Sequence, residues 1–154
     1  MMAVLLALLI GGVAGLRTFT APAAVSWAAH LGWLRLGDTP LAVLGYRWTP
    51  WILIALALVE LVTDQLPSTP SRTVPMQFGA RILTGAVSGA AIGAGAGALI
   101  VGGIAGIVGA VVGTLGGRVA RARLAAAFGK DMPAALIEDG VAIIAAILIV
   151  MAVR

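Results

Sequence analysis

Two acidic residues one helical turn apart, Glu60 and Asp64, stand inside an apolar run that opens at Trp48–Trp51. Glu60 lies nine residues past Trp51, ~13 Å along a helix axis. In a bilayer-crossing helix that is close to mid-membrane, where a carboxylate is costly and marks a functional site by default. Asp64 follows at i+4 on the same face, one turn nearer Pro67. Two carboxylates so spaced can share a proton or bind a cation. The competing chemistry is structural: Glu60 paired with an arginine, Arg17 or Arg81, as intramembrane glue.

Arg17 is the second residue with chemistry. It sits at Gly15-Leu16-Arg17-Thr18-Phe19-Thr20-Ala21-Pro22, where a glycine stop, Thr20 as N-cap and Pro22 in the next first turn predict a helix break. Broken helices expose backbone groups that hold solutes in many transporters, so Arg17, Thr18 and Thr20 form a candidate binding element. An interfacial arginine snorkelling to headgroups accounts for the same residue without function. Glu138 and Asp139, early in the last apolar segment, read as partners of the helix dipole, and Asp131 with Pro133 as an ordinary helix start. His30, the only histidine, reads as an interfacial side chain near Trp27 and Trp33.

No Ser/His/Asp set, H-E-x-x-H or Walker loop is present, and there is no cysteine. The expectation is a non-enzymatic protein with no cofactor and no metal. Gly93-Ala94-Gly95-Ala96-Gly97-Ala98 matches a dinucleotide-loop pattern, but no strand precedes it and no acidic residue follows about twenty positions on, so helix packing is the better reading.

These residues must be positioned by membrane helices. Of 154 residues, 61% are hydrophobic and 10% charged, against roughly 45–50% and about 25% in soluble domains. Mean hydropathy is +1.10. The net charge of +4 and the pI of 11.2 do not indicate a nucleic-acid partner, because no basic stripe is interleaved with aromatics. The basic residues instead fall in short loops, as topology signals.

Six apolar segments are expected, at about 2–16, 19–34, 49–66, 80–99, 102–122 and 134–153. This gives an all-α, polytopic membrane helix bundle as a single domain over 1–154, with a faint repeat of 1–66 and 80–154. The first two segments are short. They suit either two spans or a re-entrant hairpin with Arg17 near its tip. Residues 79–118 would make a helix ~60 Å long, so a turn at Gly102-Gly103 is expected. Loops 67–78 and 118–133 then share one face with Arg72, Arg81, Arg118, Arg121, Arg123 and Lys130. The positive-inside rule makes that face cytoplasmic, in a bacterial inner (plasma) membrane.

Glycine recurs every four residues: Gly85, Gly89, Gly93 and Gly97 on one helix, and Gly109, Gly113 and Gly117 on the next. Gly102, Gly106 and Ala110 form a parallel row, and Ala3, Ala7, Gly11 and Gly15 another. This is glycine-zipper packing, in which small residues let helix backbones touch. It serves contacts within one chain and homo-oligomer contacts alike.

At Gly15-Leu16-Arg17 and Glu60-x-x-x-Asp64-x-x-Pro67 the chain resembles a bacterial family of small multi-pass membrane proteins, domain of unknown function 4126. The resemblance covers most of the chain. Thr18 and Gln65 stand where the family pattern has Pro and Lys. It implies a membrane fold and no particular activity. The functional expectation is a small-solute or ion transporter or channel in the lipid bilayer. Glu60, Asp64, Arg17, Thr18, Thr20 and Arg81 would line its path. The alternative is a non-transporting structural or assembly protein packed through glycine-zipper helices.

Overall fold

The computed structural model describes residues 1–66 and 68–154. Its described residues form six α-helices and one short 3-10 turn, with no strand. The helices are α1 (Met2–Leu16), α2 (Thr20–His30), α3 (Thr49–Thr63), α4 (Pro75–Ala94), α5 (Leu99–Phe128) and α6 (Asp131–Ala152). The 3-10 turn, Pro40–Gly45, lies in the polar loop between α2 and α3. Pro67, the last residue of the acidic motif, lies outside the described residues.

α5 and α6 are long and apolar enough to cross a membrane. At 30 and 22 residues they measure ~45 Å and ~33 Å. α1 and α3 are apolar but have only 15 residues each, ~22 Å, short of the ~30 Å hydrocarbon thickness.

α1 and α2 make a hairpin. Met1–Ala3, at the start of α1, lines one recess together with Trp33–Arg35 after α2, Gly95–Ala96 after α4 and Ala152 at the end of α6. Both open ends of the hairpin therefore lie at this end of the molecule. The Arg17 break lies far inside, where Gly15 meets Thr114, about midway along α5. Residues 1–34 thus form an antiparallel helix pair with Arg17 at its tip.

The core is built from backbones. α1, α4 and α5 pack mutually and most extensively, and their shared seams are glycine. A Cβ added at Gly93 would lie 2.5 Å from the Ala98 carbonyl oxygen, and one at Gly85 would lie 2.7 Å from the Ala110 Cβ. Gly89 abuts Gly102 and Gly106, while Gly109 and Gly113 abut Leu8 and Gly12 of α1. Gly117 lies against Leu16 and the Arg72 and Glu138 side chains. α6 packs on α5, α1 and α2, and its Ala142, Ala146 and Ile149 join Ile10, Val25 and Ile92 in one buried apolar cluster.

Several boundaries differ from the sequence expectation. The α4–α5 turn is at Gly95–Ala98, not Gly102-Gly103, which lies inside α5. Gly97 belongs to that turn: its φ of 70° favours glycine, and no atom lies within 4 Å of a Cβ placed there. It is not a packing residue. The segment 118–133 is not a loop, because α5 continues to Phe128 and only Gly129, with φ 66°, and Lys130 separate it from α6. Pro75 opens α4 rather than lengthening the preceding loop, since a proline fits the first helical position. Thr20 is the first residue of α2, not its cap; Phe19 holds the cap position without a side-chain hydrogen bond.

Candidate functional site

A helix break leaves donors and acceptors without partners: up to four carbonyls at the end of α1 and up to four N–H groups at the start of α2. Pro22 removes one donor, having no N–H. Two of the carbonyls and two of the N–H groups meet polar side chains from three other helices. Arg81 on α4, 2% exposed, donates through Nη1 to the carbonyls of Gly15 (3.0 Å) and Leu16 (2.8 Å). Thr114 Oγ1 on α5 donates to the Gly15 carbonyl at 3.2 Å. A cation at a helix C-terminus is also favoured by the dipole.

On the other side of the break, Glu60 of α3 receives the N–H of Thr18 at 2.6 Å and of Phe19 at 2.9 Å, one on each carboxylate oxygen. A carboxylate at a helix N-terminus is the complementary arrangement. Arg81 and Glu60 are themselves 3.8 Å apart. Each end of the broken helix is thus capped by a charge of the appropriate sign, and the two caps face one another.

Arg17, between them, is completely buried. Its extended backbone (φ −139°, ψ 119°) sends the guanidinium to two carboxylates, Nη1 to Asp64 on α3 and Nη2 to Asp139 on α6. One arginine therefore ties the hairpin tip to both helices. A second layer lies toward the basic end. Arg72 makes a two-pronged pair with Glu138 (2.5 and 2.9 Å). Arg121 pairs with Asp131 through Nε (3.0 Å) and Nη2 (2.6 Å), and reaches Glu138 at 3.4 Å. Among the described residues, which include all six acidic side chains, Asp38 alone stands outside this network.

Sequence reasoning grouped Glu60, Asp64, Arg17, Thr18 and Arg81, and the structure brings all five together. Of the two arginines expected to pair with Glu60, Arg81 does so at 3.8 Å, while Arg17 pairs with Asp64 and Asp139; Glu60 also accepts two backbone N–H groups. Thr18 takes part through its N–H, and Thr20 makes no side-chain hydrogen bond to the site. Glu138 and Asp139 are not dipole caps. α6 starts at Asp131, so they lie two turns inside it, beyond the first turn where the dipole acts. The signal that would have found them is the one used for Glu60, a carboxylate deep in an apolar helix. His30 is exposed, edge-on to Trp27, with Nδ1 3.3 Å from the Gly45 carbonyl.

Two cavities reach this network. One of about 560 Å³ is lined by Asp64, Ser71, Arg72, Arg81, Arg118 and Arg121, among others. A second of about 300 Å³ touches Thr18, Phe19, Glu60 and Asp64. They share Asp64, Thr69 and Gln77. Toward the opposite end, the interior above the tip is filled by Ile10, Val25, Ile92 and Ile149.

No curated protein and no solved structure matches the chain. The all-helical fold and the Gly-Leu-Arg and Glu-x-x-x-Asp elements that meet at the break accord with a family model matching residues 4–153, and the chain belongs to that family, described as Domain of unknown function (DUF4126).

Proposed function

We propose that this protein is a multi-pass membrane transporter or channel for a small solute or ion, with the hairpin tip as the centre of its path. Four helices, α3 to α6, cross the bilayer, the ~22 Å α3 with local thinning of the hydrocarbon layer around it, and α1–α2 enters and returns as a re-entrant hairpin. The observation that carries the reading is the pair of cavities converging on Glu60 and Asp64 at the tip, with packed apolar side chains beyond it. That is the form of a path open to one face and closed to the other. A broken helix at depth is tolerated where protein or water surrounds its backbone, and such breaks recur at transporter binding sites. The arginine-rich face, with Arg72, Arg118, Arg121, Arg123 and Lys130, is cytoplasmic in a bacterial inner membrane by the positive-inside rule. The outward-facing apolar side chains of α3 and α5, such as Leu58, Val62, Ile104 and Val112, contact lipid.

A second reading has its own support. Glu60, Arg17 and Arg81 are all engaged by partners within the chain, as expected of a non-transporting protein that uses the charges as glue. Its glycine-zipper seams would then serve stability or homo-oligomer assembly.

Reconstitution in liposomes separates the two. Glu60→Gln keeps the size of the side chain but deletes its charge, and its amide nitrogen cannot accept the second N–H. Under the transport reading, this variant still elutes as a folded monodisperse species, with a lowered melting temperature, yet loses proton- or ion-dependent flux. Flux that persists with its pH dependence intact moves the path away from Glu60. Absence of flux in wild type across protons, monovalent cations and small anions favours the assembly reading.

A further inference from the structure

We infer that the larger cavity at the arginine-rich end is a binding site for a phosphate-type anion, with Arg118 as its principal contact. The inference rests on the transport reading and names its substrate class. The cavity wall holds four guanidinium groups, on Arg72, Arg81, Arg118 and Arg121, and two carboxylates, on Asp64 and Asp131. The carboxylates are already committed: Asp64 to Arg17, and both oxygens of Asp131 to Arg121. Among the described residues the Arg118 side chain makes no ion pair and no hydrogen bond. The charge that faces the cavity without a counter-charge is therefore positive.

Position reinforces this. Arg118 and Arg121 are three apart on α5, a spacing that places both on one helix face; Arg121 is neutralised by Asp131, so the uncompensated charge on that face is Arg118. Arg81 is pinned from behind by the Gly15 and Leu16 carbonyls, and Arg72 by Glu138, so both present guanidinium groups whose orientation is fixed before a ligand arrives. Gln77 adds neutral amide donors to the same wall. Planar guanidinium donors match phosphate oxygens in pairs, and about 560 Å³ is within the usual range of small-molecule sites. The shared chemistry fits a free phosphate or a lipid phosphate headgroup.

The test is calorimetric titration of the purified full chain in phosphatidylcholine nanodiscs. Inorganic phosphate is one ligand and a water-soluble, short-chain phosphatidic acid the other. Arg118→Gln is expected to weaken binding about tenfold, the loss of one charge-assisted contact. Arg123→Gln, on the same helix but outside the cavity wall, is expected to leave it unchanged. Binding of inorganic phosphate with this pattern supports the site for a free anion. Binding of phosphatidic acid alone, with the same pattern, supports it for a headgroup. Failure of both ligands to bind, binding indifferent to Arg118→Gln, or equal loss in Arg123→Gln overturns the inference. Flux is read separately: a chain that binds phosphate but moves nothing keeps this site and loses the transport reading, and the converse result does the opposite.

Discussion

α5 and α3 are both apolar helices with a broad outward-facing hydrophobic side, yet they join the protein by opposite means. α5 meets α1 and α4 backbone against backbone, through Gly102, Gly106, Gly109 and Gly113. α3 contacts chiefly α2 and the 3-10 turn, and of its residues only Pro50 and Glu60 are buried. Its anchors are a few side chains: Glu60 on the Thr18 and Phe19 amides of the break, Asp64 just past its end on Arg17, and Trp51 on Trp27. A glycine seam gains from many small dispersion contacts and tolerates no insertion. An anchor of charged hydrogen bonds can be released and remade, because its geometry rests on few atoms. The rigid seam thus forms the frame, and α3 is the element whose attachment coincides with the buried charges.

The largest effect should come from breaking the seam. Gly113→Leu places a side chain where the Gly12 backbone already lies. Overpacking a core by a methylene or two costs typically about 1–3 kcal/mol, and a leucine against backbone exceeds what the site can absorb. The expected outcome is loss of the monodisperse folded species in detergent. Gly116→Leu, three residues along the same helix, meets no atom within 4 Å of its Cβ, so its melting temperature should stay near that of wild type. Equal behaviour of the two variants would show that the seam does not set the fold.

Removing the charge at the tip should rank next. Arg17→Met keeps a long side chain but leaves Asp64 and Asp139 facing each other without their shared cation. Breaking one side of a buried ion pair costs about 3–5 kcal/mol, enough to lower the melting temperature by several degrees. The triple variant Arg17→Met, Asp64→Asn, Asp139→Asn should recover much of that loss, because the stranded charges are gone. A triple variant no more stable than the single one would mean that the carboxylates are stabilised by something other than Arg17.

Much of this frame was legible in the sequence. Apolar runs bounded by Gly and Pro located all six helices, and the Gly15–Pro22 signals placed the break beside Arg17. The glycine spacing pointed to close backbone approach but could not tell a contact glycine from one needed for positive φ, so Gly97 was joined to the wrong row. The turn falls at Gly95–Ala98 because Gly93 packs on Ala98 and Gly102, a tertiary requirement that periodicity does not carry. Partners in the charge network were hidden for a similar reason. Glu60 and Asp64 are one turn apart on α3, and which of them faces Arg17 is set by where the hairpin tip stops along α5. Glu138 and Asp139 were obscured for another reason: the helix start at Asp131 was legible, but residues seven and eight positions on lie beyond the reach of the dipole and belong with the deep carboxylates.

The smallest effect should come from the aromatic end of α3. Trp51 meets Trp27 edge to face, with centroids 5.2 Å apart and planes at 75°. Such a pair contributes about 0.5–1.5 kcal/mol beyond its buried area, and more than half of Trp51 is exposed. Trp51→Leu should therefore shift the global melting temperature only slightly. Its effect should be local, since α3 has so few other anchors: hydrogen exchange of the α3 amides should quicken while those of α5 stay protected, as expected when one element opens on its own. If α3 and α5 exchange together in this variant, the two helices unfold as a unit, and the distinction between a rigid seam and a releasable anchor does not hold.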